Sequence, residues 1–128
     1  MSITNVIQTK EAPLPGGHYS QGLVAGGFLF VSGQLPLDPK TGALVPGGVE
    51  EQTLQALKNL EAIVVAAGLN KEHIVKVTVY VADISLWGTI NRVYGDFFRT
   101  HKPARAVVPT GPLHYGSILE VEATAVLS

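Results

Sequence analysis

Cysteine is absent from all 128 residues, which excludes disulfides, thiolate metal sites and a cysteine nucleophile together. Basic clusters are missing too: nine Lys+Arg against ten Asp+Glu leave a formal net charge of -1, with no block of either sign. A phosphate-binding face needs clustered Lys and Arg, so nucleic acid is not the first partner to consider. No apolar run approaches the length that spans a bilayer. The opening segment MSITNVIQTKEAP has neither the basic region nor the apolar core of a signal peptide. No membrane association is expected, and the cytoplasm is the default compartment, with an organellar matrix the other one open to such a chain.

Several catalytic patterns are also missing. The four histidines, His18, His73, His101 and His114, show no H-x-x-x-H or His/carboxylate spacing, so no metal site is expected. There is no G-x-S-x-G elbow, no G-x-G-x-x-G and no Walker loop. Charge itself is sparse, at 15% against 46% hydrophobic residues. The length fits one domain, residues 1–128, which buries roughly two thirds of its unfolded-chain surface. A chain so short and so charge-poor covers itself with polar surface only with difficulty, so an oligomer is expected.

Residues 2–8 (SITNVIQ) read as a short strand, followed by a Pro/Gly-rich loop at 12–18. Residues 21–33 read as two strands hinged at Gly26-Gly27, a pair suited to a tight hairpin. Asp38-Pro39-Lys40-Thr41-Gly42 reads as a turn within the long connection 35–48. From Val49 the period becomes helical: Leu54, Leu57, Leu60 and Val64 recur on one face, Glu50 and Glu51 open the helix and Gly68 ends it. Residues 74–81 alternate, with Val75, Val77, Val79 and Val81 on one face and Lys76, Thr78 and Tyr80 on the other. Ser85 is a candidate N-cap for a second helix whose stripe is Ile90, Val93, Tyr94, Phe97 and Phe98. Strands at 105–108 and 118–127 follow, separated by the loop 109–117. This order predicts an α+β sandwich: a mixed sheet with two helices packed on one face, its open face a candidate oligomer surface.

Two positions stand out chemically. Arg105 opens a strand beside Ala106-Val107-Val108, and an arginine there is either a strand-end residue reaching solvent or a fork that grips an anion. Glu120 and Glu122 lie two apart on one strand, so they share a face roughly 6–7 Å apart along it. Alone, each reads as a solvated carboxylate; partly buried at a subunit junction, one could orient or deprotonate a water.

The residues taken together carry a resemblance. HYSQG (18–22), SGQLPLDPKTG (32–42), EQTLQALKNLEAIVVAAG (51–68), VKVTVYVAD (75–83), INRVYGDFF (90–98), PARAVV (103–108) and LEVEA (119–123) resemble, in order, the motifs of the Rid family, the reactive intermediate deaminases. The resemblance covers essentially the whole chain. It implies a chorismate-mutase-like subunit and a homotrimer with a cleft at each subunit interface. The implied reaction is hydrolysis of enamines and imines such as 2-aminoacrylate and 2-iminobutanoate to 2-oxo acids and ammonia, without metal or cofactor. It also implies that Arg105 grips the substrate carboxylate and that Glu120 positions the attacking water. Tyr19, Ser32 and Asn91 match polar cleft residues, and the backbone amides of Gly33 and Val107 match those that help hold the carboxylate. The chain departs from the family pattern in having Val107 where cysteine is frequent. It also has Leu113-His114-Tyr115 where a leucine-proline pair is usual, and Gly17-His18 where Gly-Pro is common. Two other readings stay open at this stage: a ribonuclease or translation inhibitor, and a non-enzymatic regulatory trimer that binds small acids.

Overall fold

A computed structural model of the chain describes residues 4–128. Six strands form one mixed sheet: β1 (Thr4–Ile7), β2 (Gly22–Ala25), β3 (Phe28–Gln34), β4 (Ile74–Val81), β5 (Ala104–Pro109) and β6 (Leu119–Val126). Their order is β1-β2-β3-β6-β4-β5. Every pairing is antiparallel except β4 with β5, which run parallel. Parallel neighbours need a long crossover, and the chain supplies one as helix α2 (Trp87–Phe98). Helix α1 (Val49–Ala66) joins β3 to β4 and packs beside α2 on the same face of the sheet. The α+β arrangement expected from the alternating and helical periods is the one observed.

β6 shows why the sheet is two-sided. Leu119, Val121, Ala123 and Ala125 are buried, and the alternate residues are only half-buried. The buried set meets Ala56, Leu57, Leu60, Ile63 and Val64 from α1 and Ile90, Tyr94, Phe97 and Phe98 from α2. Each fully buried Leu or Ile in that layer contributes about 1.5–3 kcal/mol relative to exposure. Among the described residues no helix packs on the opposite face, where Phe28 and Phe30 are 41% and 46% exposed. Gly26 and Gly27 (φ 60° and 84°) make the left-handed turn that joins β2 to β3 in register Ala25↔Phe28. Gly42 (φ 73°) closes the 38–42 turn by donating its N–H to the Asp38 carbonyl at 2.7 Å.

Local expectations needed correction at four places. Leu54 is 38% exposed, because the face of α1 turned to the sheet is centred on Ala56 and Leu60 and Leu54 lies on the far side. Val75 is also 38% exposed: the register jumps from Ile74↔Ala125 to Lys76↔Thr124, and this bulge turns Ile74 and Val77 inward and Val75 outward. Ser85 is not the cap. It sits inside a short 3-10 turn (Ile84–Leu86) capped by Asp83, whose carboxylate accepts the Ser85 N–H at 2.9 Å. The first strand covers Thr4–Ile7 and stops short of Gln8; residues 2 and 3 of that expectation lie outside the described residues.

Candidate active site

Glu120 sits on β6 with its side chain on the helix-free face, opposite Tyr80 of β4. It lines a cavity of about 610 Å³ together with Tyr19, Ser32, Gly33, His114 and Tyr115. The backbone of β3 makes room for it. Between Val31 and Gln34 the β3–β6 register slips, a bulge that falls on Ser32 and Gly33. The Glu120 carboxylate lies directly over Gly33: a Cβ there would come within 2.6 Å of Oε2 and 3.0 Å of Cδ. Glycine at 33 therefore lets the Glu120 carboxylate keep this position, which a larger residue would push aside. Burial raises the Glu120 carboxyl above its ordinary value, an effect opposed by His114 and reinforced slightly by Glu122. Glu122 is engaged elsewhere, accepting the Tyr80 hydroxyl at 2.7 Å. That bond, followed by burial, pushes the Tyr80 hydroxyl up.

Ser32 donates its hydroxyl proton to the Ser20 carbonyl at 2.5 Å, while its own N–H donates to Gln21 O at 2.9 Å. Its oxygen keeps lone pairs free to accept a proton from a ligand. Tyr19 is 49% exposed, on the loop that faces the cavity.

Buried amides hold the walls. Gln21 accepts the Thr9 N–H at 2.7 Å and donates to the carbonyls of Thr9 and Pro13 at 3.0 and 2.8 Å, which fixes the 9–13 segment. Asn59 of α1 donates to the carbonyls of Leu35 and Leu37 at 3.0 and 2.9 Å, tying down the loop after β3. Gln52 accepts the Ile118 N–H at 3.0 Å at the entrance to β6. Each is a motif residue whose clamping role the sequence reading did not assign; a polar residue at a core position of a helix or strand was the available signal.

Arg105 belongs to a second cluster. On β5 it pairs with Val77, a core-facing residue, so its side chain leaves on the helix side of the sheet. There the guanidinium lies 4.8 Å from the Trp87 ring centre and 4.7 Å from that of Tyr94, both on α2. Nη1 donates to Asn91 Oδ1 at 3.0 Å. Stacking on two rings orients the planar fork and leaves its edge available for an anion. Among the described residues no carboxylate pairs with Arg105. Tyr94 is 7% exposed, its hydroxyl has no hydrogen-bond partner, and burial pushes that hydroxyl up to about 12. Val107, two residues on and also on the helix side, packs partly buried against the core. β5 is a free edge of the sheet, so half of its backbone polar groups face away from β4.

The sequence-derived residues thus fall into two groups. Tyr19, Ser32, Gly33 and Glu120 share one cavity; Arg105, Asn91 and Val107 gather at the α2–β5 edge, on the other face of the same sheet. Sequence reasoning missed Trp87 as a functional neighbour and took Tyr94 as core alone. No group of three or more His, Asp or Glu among the described residues could hold a metal ion, and no helix there is long and apolar enough to cross a membrane.

The chain is an α+β protein, a six-stranded mixed sheet with two helices on one face, with a carboxylate-lined cavity on one side of the sheet and an aromatic-stacked arginine on the other. Comparison with known proteins narrows the class. The family model described as endoribonuclease L-PSP matches residues 9–127. A rat protein named 2-iminobutanoate/2-iminopropanoate deaminase is 47% identical over 124 residues, covering 97% of this chain and 90% of that protein. A RutC family protein of Pyrococcus horikoshii is 46% identical over 120 residues, 94% of this chain and 95% of its own length. Among solved structures, TdcF of E. coli with bound serine aligns with a TM-score of 0.92 at 42% identity, over 97% of this chain and 99% of that one. The chain belongs to the endoribonuclease L-PSP family, the Rid family whose motifs run through its sequence.

Proposed function

We propose that the protein is an enamine/imine deaminase, hydrolysing 2-aminoacrylate and 2-imino acids to 2-oxo acids and ammonia. It works as a homotrimer in which each cleft joins the Arg105 cluster of one copy to the Glu120 cavity of the next. The observation that carries this reading is Glu120: a half-buried carboxylate seated against Gly33 in a cavity with room for a small imino acid. The deaminase names of relatives at 43–47% identity support it. The joining of copies follows from the split site. Arg105 and Glu120 leave opposite faces of one sheet, so one small substrate reaches both only if a second copy supplies one of them. The exposed Phe28 and Phe30 on the helix-free face are apolar surface for such a contact.

The chemistry asks little of the protein. Arg105, held by Trp87, Tyr94 and Asn91, takes the substrate carboxylate in a two-pronged pair, and the amides of Gly33 and Val107 add donors. The imine carbon, electrophilic in its protonated form, then faces Glu120. Water attacks that carbon as Glu120 takes one of its protons, giving a carbinolamine. The C–N bond breaks as Glu120 returns its proton to the nitrogen, which leaves as ammonia; the hydroxyl gives up its own proton, which the ammonia takes up as ammonium, and its oxygen becomes the carbonyl of the 2-oxo acid. A carboxyl raised by burial is a stronger base when ionised, which suits both transfers. The Ser32 oxygen and the Tyr19 hydroxyl, both from residues of the cavity wall, receive N–H groups of the departing nitrogen in this reading.

The test is to generate 2-iminobutanoate in situ and follow its loss. Wild type should accelerate the loss over buffer, and Arg105→Ala should remove nearly all of the acceleration. No acceleration by wild type would end the deaminase reading, and RNA cleavage that survives Arg105→Ala would favour a nuclease or a contaminant.

A further inference from the structure

The cavity is larger than the reaction needs. At about 610 Å³ it falls among pockets of about 300–1,000 Å³ that take drug-sized ligands, and a four-carbon acid fills a small part of it. The reacting atoms occupy one end. In the shared cleft the neighbouring copy brings its Arg105 to the substrate's carboxylate, Glu120 faces the imine carbon, and Ser32 and Tyr19 face its nitrogen. The substrate's side chain then lies along the rest of the wall, where Pro13, Leu14, Leu35, Leu37, Pro39 and Tyr115 present apolar surface. Leu14 and Tyr115 are 58% and 65% exposed, so each leaves apolar area in water that a ligand would cover. Both stand apart from Phe28 and Phe30, the apolar surface offered to a neighbouring copy, which do not line the cavity.

Tyr115 is held on that wall against its own backbone preference. Its φ of 62° and ψ of 17° are left-handed, a conformation that glycine and asparagine adopt far more readily than an aromatic residue. Gly116 follows at φ 71°, and the turn is closed by the Ser117 N–H and hydroxyl, which donate to the His114 carbonyl at 3.1 and 2.7 Å. Backbone strain of this kind persists where the placement of a side chain matters. The strained residue lies in the loop where this chain departs from the leucine-proline pair usual in its family.

We propose that Tyr115 and Leu14 form the side-chain subsite of this cavity and select 2-imino acids whose apolar side chains are longer than ethyl. The inference rests on the deaminase reading for the reaction, while the binding preference stands by itself. Lys40 lines the same cavity from the exposed 38–42 turn. It is the group that would favour an acidic side chain instead, so an acidic ligand belongs in the test.

Calorimetric titration of the assembled protein with 2-oxobutanoate, 2-oxohexanoate and 2-oxoglutarate reads the subsite without turnover. Each buried methylene is worth about fourfold in affinity, so 2-oxohexanoate, with two more on a partly open wall, should bind roughly tenfold tighter than 2-oxobutanoate. Tyr115→Asn suits the left-handed backbone and removes the ring, and it should narrow that ratio toward one. Leu14→Ala, on a different loop, should narrow it too. Equal affinity for the two acids in wild type overturns the proposal and would mean that a neighbouring copy already covers the two side chains. So does a ratio that survives in both variants, and so does tightest binding of 2-oxoglutarate, which would give the wall to Lys40. Imine-loss rates then separate the two readings. With both correct, the imine of norleucine, generated in situ, has a kcat/KM roughly tenfold above that of 2-iminobutanoate. A tenfold binding ratio with no acceleration of either imine upholds the subsite and sinks the deaminase reading. Acceleration of both imines with equal affinities for the two 2-oxo acids sinks the subsite alone.

Discussion

Substituting Gly33 by alanine asks whether the placement of Glu120 matters more for chemistry than for folding. The added methyl would stand 2.6 Å from Glu120 Oε2, 3.0 Å from Cδ and 3.3 Å from Cγ, all inside ordinary contact distance. Gly33 does not have left-handed backbone, so the cost is steric and not conformational. The atoms displaced are the far end of a side chain with room to turn into the cavity. Overpacking of a rigid core costs about 1–3 kcal/mol, and this site belongs at the lower end. About 1 kcal/mol in a chain of this size lowers Tm by roughly 3–6 °C. The kinetic effect should be far larger, because a carboxylate pushed aside by about 1 Å loses its alignment with water, a displacement that costs on the order of 10²-fold. Thermal melts and imine-loss kinetics on the same sample decide the matter. A Gly33→Ala protein that melts a few degrees low and turns over at the wild-type rate would refute the role given to the Glu120–Gly33 contact.

Two other outcomes follow from single contacts. Asn59→Ala removes the donor to the buried Leu37 carbonyl and one of two donors to the Leu35 carbonyl, which keeps the Leu37 N–H at 2.8 Å, and should cost about 1–3 kcal/mol in denaturant unfolding, the cost of one stranded buried group; a loss below the error of the linear extrapolation would remove Asn59 as the clamp of the loop after β3. Trp87 is the only tryptophan and stacks on Arg105, so titration with 2-oxobutanoate should change its fluorescence saturably in wild type and leave it unchanged in Arg105→Ala. A saturable change that persists in Arg105→Ala would place carboxylate binding elsewhere.

The fold was largely legible because its two periods are clean. The alternation of β6 and the 3.6-residue stripe of α2 identify their buried faces residue by residue. Legibility failed where tertiary packing overrides a local pattern. Leu54 satisfies a helical count yet lies off the buried arc, and the bulge at Val75 inserts a residue that strict alternation does not foresee. The Arg105 neighbourhood shows the same limit at the site. Trp87 and Tyr94 look like helix-stripe residues until α2 is laid beside β5, and only then do they form an aromatic seat for the guanidinium. For Glu120, sequence identified the strand and the solvent-side face, while its closeness to Gly33 depends on a β3 bulge that no local propensity signals. The separation of Arg105 and Glu120 onto opposite faces follows from strand register, which short-range pattern does not encode.

That separation supplies the most direct test of the central claim, that one working site is made by two copies. Arg105→Ala and Glu120→Gln proteins, each inactive alone, are to be unfolded, mixed in equal amounts, refolded together and assayed for 2-iminobutanoate loss. A site that takes Arg105 from one copy and Glu120 from its neighbour is intact in about a quarter of randomly assembled head-to-tail contacts. The mixture should then recover about a quarter of wild-type activity. A mixture as inactive as its two components, in assemblies shown by mass to contain both chains, would contradict a shared site.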